Sequence, residues 1–269
     1  MKNLSVLSFI GLSLFSFSSL AQEPTTPTST EATQPPPQKD PAPPAEEEEE
    51  GGVSFGAEVD FNAIYGWRGI ALSSGPVAQP SVWASVKGVN LTGWASFTAN
   101  GTDGFGSFQE FDFIADYELE AAGFAITPRV IAYLVPEASA GEIELEISHG
   151  IAGPVGAYLI NSIGFAGAPG SYFGQVGIDA AHDFDSGLSL EAKAGLGVGN
   201  GIFNEFNLGL KETGLNALMA GAAASYYFAD GLLYARLHAE FSDILDGQLN
   251  AASAKPLIFN GGLAIGFEM

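Results

Sequence analysis

The chain contains no cysteine, and its nine lysines and arginines face 31 aspartates and glutamates. Without cysteine no disulfide can brace the fold, so stability has to come from packing and the backbone hydrogen-bond ladder. The shortage of basic residues leaves a net charge of −22, which repels a phosphate backbone and excludes nucleic acid as a partner. Charged residues make up only 15% of the chain, and beyond the N-terminus no apolar run approaches the roughly 18 residues that a spanning helix needs. A chain of this kind crosses a membrane, if at all, with strands. What it has in quantity is apolar residues, 46%, and 35 glycines, enough to build a core and to exclude a wholly disordered protein.

Residues 1–21 read as a cleaved signal peptide. Lys2 supplies the positive start, 6–17 the apolar stretch, and Ser19 and Ala21 the small residues before cleavage. The apolar stretch is interrupted by serine and too short to span, so the mature protein is expected to begin near Gln22. Residues 22–52 hold proline, threonine, glutamine and glutamate with no large apolar side chain, and cannot bury enough surface to offset the entropy of ordering. This is expected to be a disordered, partly polyproline-II periplasmic linker, either a plain solvated spacer or a contact to the cell wall or a periplasmic partner. Beyond it, 53–269 carries 23 acids and 7 bases.

From Val53 the pattern becomes a strict two-residue alternation. In 53–65 every odd position is apolar or small, from Val53 and Phe55 to Ala63 and Tyr65, while Glu58, Asp60 and Asn62 share the other face. The same period recurs to the C-terminus, predicting strands near 80–87, 91–99, 110–119, 124–134, 142–149, 155–163, 172–184, 188–197, 217–228, 232–241 and 257–269. Most have the roughly 9 to 11 residues of a tilted membrane strand. On this reading all ionisable strand residues except His149 lie on one face, as a lipid-facing opposite face requires. A soluble sandwich would show the same parity, so connection lengths have to decide. Long links (66–79, 100–109, 135–141, 164–171, 198–216, 242–256) alternate with tight ones such as Asp185-Ser-Gly187 and Ala229-Asp-Gly231. The expectation is therefore an all-β, transmembrane, antiparallel up-and-down barrel of about twelve strands over 53–269, in the outer membrane of a Gram-negative bacterium. Tyr65, Phe184, Tyr226, Phe228 and Phe241 are expected in the interfacial girdles. The ending Gly262, Ile265, Phe267 looks like the terminal signal read by the barrel assembly machinery, with outer-membrane lipid and lipopolysaccharide as the other expected partners.

The segment Tyr65-Gly-Trp67-Arg68-Gly69-Ile70, followed by Gly75-Pro76-Val77-Ala78-Gln79-Pro80-Ser81 and Trp94-Ala-Ser96, resembles the opening of the TorF family of porins. The resemblance is strongest over 53–100, with only the barrel rhythm shared downstream, and it implies an outer-membrane barrel with a pore function and no catalytic residue. Trp67, Arg68 and Gly69 then fall where the first strand meets the first external loop, as an interfacial anchor or as part of a gate or constriction.

Chemistry beyond this is sparse. His149, His182 and His238 lack paired ligand spacing, so no metal site is expected and no cofactor is implied. Ser148-His149 is a weak hint of a lipid-cleaving pair, because a triad is set by geometry and not adjacency, and an enzyme is not expected. Gly195-Leu-Gly197-Val-Gly199 is read as a strand end before a long loop and not as a phosphate cradle. Acid pairs such as Asp243 with Asp246 and Asp183 with Asp185 lack calcium-loop spacing and read as solvated charge. The inward face is the informative part. Glu58, Asp60, Glu110, Asp112, Asp116, Glu118, Glu142, Glu144, Glu146, Asp179, Glu191 and Glu240 are expected to line the interior with Lys87, Arg129, Lys193 and Arg236. A water-filled interior of this sign would concentrate cations, predicting a passive, cation-preferring pore for ions or small hydrophilic solutes. Inward Trp83, Trp94, Tyr133, Tyr227 and Tyr234 leave the alternative of a plugged structural or adhesive barrel.

Overall fold

The computed structural model describes residues 53–99, 104–136 and 138–269, so the expected signal peptide and linker lie outside the described residues. The elements in chain order are β1 (Val53–Asn62), β2 (Gly66–Trp67), β3 (Ile70–Ala71), β4 (Val77–Val86), β5 (Val89–Thr98), β6 (Phe108–Tyr117), β7 (Leu119–Ala121), β8 (Phe124–Val135), β9 (Ala138–Ala152), β10 (Val155–Ala166), β11 (Tyr172–Asp183), β12 (Leu188–Gly199), α1 (Gly201–Leu208), β13 (Gly214–Phe228), β14 (Leu233–Asp243), α2 (Gly247–Ala252) and β15 (Leu257–Glu268). Every neighbouring pair is antiparallel. The sheet closes on itself through β1 with β15, where Val59 faces Ile265, and through β6 with β8, where Asp112 faces Tyr133. With β7 a short continuation of β6, this is a closed barrel of twelve strands, and closure leaves no sheet edge to be satisfied.

The alternation read from the sequence determines which side chains meet lipid and which meet the interior. Val82, Ile143, Val176, Ile178 and Leu237 are each more than half exposed on the outside, whereas their chain neighbours turn inward and are buried or half-buried. A large apolar exterior around a polar interior inverts a soluble protein, and hydrocarbon is the solvent that stabilises it. No helix among the described residues is long and apolar enough to cross a membrane.

Four details depart from expectation. The link expected over 135–141 is only two residues, because the small side chains Ala138 and Ala140 continue the ladder opposite Val135 and Tyr133, so long and short connections do not alternate throughout. Lys87 is not inward: with Gly88 it forms the tight β4–β5 turn, both at positive φ, and its side chain is exposed. His182 joins His149 on the outward parity, opposite Leu190 and edge-on to Phe184 at the short-turn end. Finally, α1 follows Gly199 directly. Asn200 caps it by accepting from Phe203 N, and Gly209 ends it in the left-handed conformation. Its amino end is thereby satisfied internally, so the glycine run still makes no anion cradle.

Candidate functional site

The first long connection does not extend outward. After Asn62 the chain bends into the barrel and forms a miniature hairpin, β2 with β3, whose two turn residues Arg68 and Gly69 have φ of 49° and 84°. That pair of positive φ values suits a two-residue hairpin turn of the primed kind. Glycine is required at 69 twice over, since a Cβ there would stand 2.8 Å from the Ala217 Cβ on β13. The hairpin thus reaches across the interior to the far wall.

At its tip Arg68 is 7% exposed and makes four charge-assisted hydrogen bonds. Nη1 donates to Glu142 Oε1 at 3.0 Å, and Nη2 to Glu142 Oε2 at 2.8 Å, Glu144 Oε2 at 3.1 Å and Ser162 Oγ at 2.8 Å. The guanidinium also lies 4.4 Å from the Trp67 ring centre and 4.9 Å from that of Phe173. Trp67 packs on Phe203 of α1, and Phe203 is buried with Ile70, Phe173, Ala217 and Met219. Asn204 and Asn216 bond each other reciprocally through their side-chain amides, and Asn216 Oδ1 also accepts from Gly199 N, so α1 is fixed to the barrel wall. The interfacial-anchor reading of Trp67 and Arg68 is therefore overturned, because both are used inside. Tyr65 likewise leaves the expected girdle: it is buried against Trp94 with ring centres 5.4 Å apart, and its hydroxyl donates to Glu110 Oε2 at 3.0 Å.

Below and around the hairpin the inward strand positions carry the charge. Glu58, Asp60, Glu110, Asp112, Asp116, Arg129, Glu142, Glu144, Glu146, Lys193, Arg236 and Glu240 are all buried in the interior. Glu191 and Asp179 are half-buried there, and Glu118 is half-buried at the break between β6 and β7. The acids and bases form two paired groups. Arg129 bonds Glu144 and lies 3.9 Å from both Asp116 and Glu146. Arg236 Nη2 meets Glu58 Oε1 at 3.0 Å and Asp60 Oδ2 at 3.8 Å, with His238 Nε2 3.1 Å from Asp60 Oδ1 and the Tyr234 hydroxyl donating to Glu58 at 2.8 Å. Ser148 faces inward while His149 stacks outside on Phe124, so the two cannot act as nucleophile and base.

Several inward aromatic rings lie along the wall and not across the bore. A Cβ at Gly56 would run into the Trp83 ring, one at Gly177 or Gly195 into Tyr158, and one at Gly266 into Tyr234. The inward glycines are thus seats for rings that reach over from strands one or two places along the wall. Lys193 extends its ammonium 4.1 Å over the Tyr158 ring centre. The hairpin is what narrows the interior. One signal for it was readable: Arg68-Gly69 sits between Gly66-Trp67 and Ile70-Ala71, a turn pair between short apolar arms.

Among solved structures, the chain superposes on a KdgM porin in complex with disordered oligogalacturonate, at 9% identity over 80% of this chain and 98% of that one, with a TM-score of 0.50. It also superposes on the COG4313 outer membrane channel from Pseudomonas putida F1, at 10% identity over 86% and 100% with a TM-score of 0.53. A NanC porin matches at 7% identity over 79% and 97%, with a TM-score of 0.50. The fold is that of outer-membrane porins. No family model matches the chain, and no curated protein does.

Proposed function

We propose that the chain is a bacterial outer-membrane channel for passive, cation-preferring diffusion of ions or small hydrophilic solutes, with no reaction catalysed, narrowed by the β2–β3 hairpin. The resemblance of 53–100 to the TorF family of porins belongs to this reading, as does export behind a cleaved signal and insertion by the barrel assembly machinery. The observation that carries it is the charge of the interior. Nine acids are buried there against the four bases Arg68, Arg129, Lys193 and Arg236. A dry interior could not hold such an excess of ionised acid, since each unpaired buried charge costs several kcal/mol. On the channel reading, water and counter-cations keep the excess ionised, and the same field selects cations. The acidic oligogalacturonate bound by one structural neighbour suits such an interior poorly, so the likeness in fold does not extend to the solute.

A specific observation favours a second reading. Asp112 is 1% exposed and Lys193 4%, so the interior is closely filled around mid-height, as in a plugged structural or adhesive barrel. Conductance of the refolded barrel in planar bilayers, with the reversal potential recorded across a KCl gradient, separates the two. Discrete steps with cation preference are expected; a silent but correctly folded barrel means the plug holds. Membrane insertion has its own test. Ile178→Arg on the outer face should cost about 2 to 4 kcal/mol of folding free energy in lipid vesicles if that position lies near the midplane; an unchanged folding equilibrium would argue against a lipid-facing exterior.

A further inference from the structure

A cavity of about 250 Å³ opens at the long-loop end of the barrel, between the hairpin, α1 and the upper parts of β6, β8 and β9. Its walls include Tyr65, Trp67, Tyr133 and Phe206, and its carboxylates are Glu110 and Glu142. The two carboxylates are not equivalent. Glu142 is committed to Arg68 by two hydrogen bonds. Glu110 accepts the phenol of Tyr65 at 3.0 Å and a hydrogen bond from the carboxyl of Asp112, and none of the described lysines and arginines is paired with it. Asp112, the next inward position on β6, is almost fully buried, and its Oδ1 has no hydrogen-bond partner among the described residues. Asp112 lies behind the wall and not in it, so what the cavity meets on β6 is the Glu110 carboxylate with no base beside it, which favours an incoming cationic donor.

We infer that this cavity binds a small organic cation, an ammonium group carried on an apolar or aromatic body, with the ammonium on Glu110 and the body between the aromatic walls. The inference rests on the channel reading, for which it names a class of solute. Three alternatives fit less well. An anion would meet the Glu110 carboxylate. A neutral sugar could hydrogen-bond here but would leave the Glu110 charge uncompensated. A bare metal ion needs more ligands than these: no group of three or more His, Asp or Glu among the described residues is placed to hold one. An ammonium on a carbon skeleton uses both features, since aromatic faces attract cations and the body covers apolar wall that water would otherwise wet.

The test is tryptophan fluorescence of the refolded mature barrel in detergent, with Trp67 lining the cavity, titrated with phenethylammonium, phenethyl alcohol and phenylacetate. The ammonium is expected to give a saturable change, the alcohol to bind roughly tenfold more weakly, and phenylacetate not to bind, because one charge-assisted hydrogen bond is worth about that factor. Glu110→Gln should weaken the ammonium roughly tenfold and leave the alcohol unchanged. Phe206→Ala, at a residue more than half exposed on α1 and safe for folding, should weaken both. Equal affinity for ammonium and alcohol, a preference for phenylacetate, or an unchanged affinity in Glu110→Gln overturns the site. Bilayer current recorded on the same protein keeps the two readings apart. Binding by a silent barrel retains the site and ends the channel; conduction without binding does the reverse.

Discussion

Two walls of the same interior carry similar rows of inward acids and do different things with them. On β9 every second residue is a glutamate, Glu142, Glu144 and Glu146, and the arginines Arg68 and Arg129 lie among them. On β6 the inward positions are Glu110, Asp112 and, past the buried Ile114, Asp116, of which only Asp116 has an arginine nearby, at 3.9 Å. The difference comes from where an arginine lands. Arg68 reaches β9 from a hairpin far away in sequence and turns an acidic wall into an anchor; no described base reaches Glu110 or Asp112, which hydrogen-bond each other instead. An inward acid is thus a structural or an attracting element according to whether a base is delivered to it, which strand periodicity alone does not encode.

The largest effect should follow from removing the delivered base. Arg68→Ala leaves Glu142 and Glu144 buried without their shared partner, and breaking a buried pair in this way costs about 3 to 5 kcal/mol. The hairpin also loses its tip contacts, so single-channel conductance should rise as the thermal transition falls. Unchanged conductance together with lowered stability would place the hairpin outside the conducting path.

Exchanging the acids sharpens the comparison. Glu142→Gln with Glu144→Gln should destabilise the barrel by removing partners of Arg68 and Arg129, in the range of about 3 to 5 kcal/mol. Glu110→Gln with Asp112→Asn removes charge that has no base beside it, so stability should hold or rise while the reversal potential moves toward zero. If the β9 double variant changes selectivity more than the β6 one, the assignment of roles to the two walls is reversed.

Most of the barrel was legible in the sequence because the two-residue period is a direct record of its two solvents. Outward Val59, Val82 and Leu237 and inward Glu58, Ser81 and Arg236 could be sorted by parity alone, and the strand ends came out within a few residues. The inward hairpin was hidden by the same rule. Tyr65 continues the odd parity of β1 and so read as a lipid-facing residue, although the ladder with β15 stops at Asn62. Parity has no meaning once pairing ends, and what lies beyond is decided by distant partners such as Glu142 and Ala217. Helix α1 had readable caps in Asn200 and Gly209, but eight residues between glycines make a weak local signal, and tertiary burial of Phe203 stabilises it.

The smallest expected effect tests whether that helix supports the hairpin. Asn204 is fully buried, donates to Glu212 O at 2.7 Å and exchanges amide hydrogen bonds with Asn216. Asn204→Ala removes these bonds and leaves the Asn216 amide short of a partner, a loss of about 1 to 3 kcal/mol. No charge changes, so the reversal potential should stay where it is. If α1 braces the hairpin through Phe203 and Trp67, current noise should increase in the open state as the hairpin loosens, with a thermal shift smaller than that of Arg68→Ala. A thermal shift with quiet current would mean that the Arg68 bonds to β9 hold the hairpin without the helix, and that the β9 wall is by itself the anchor.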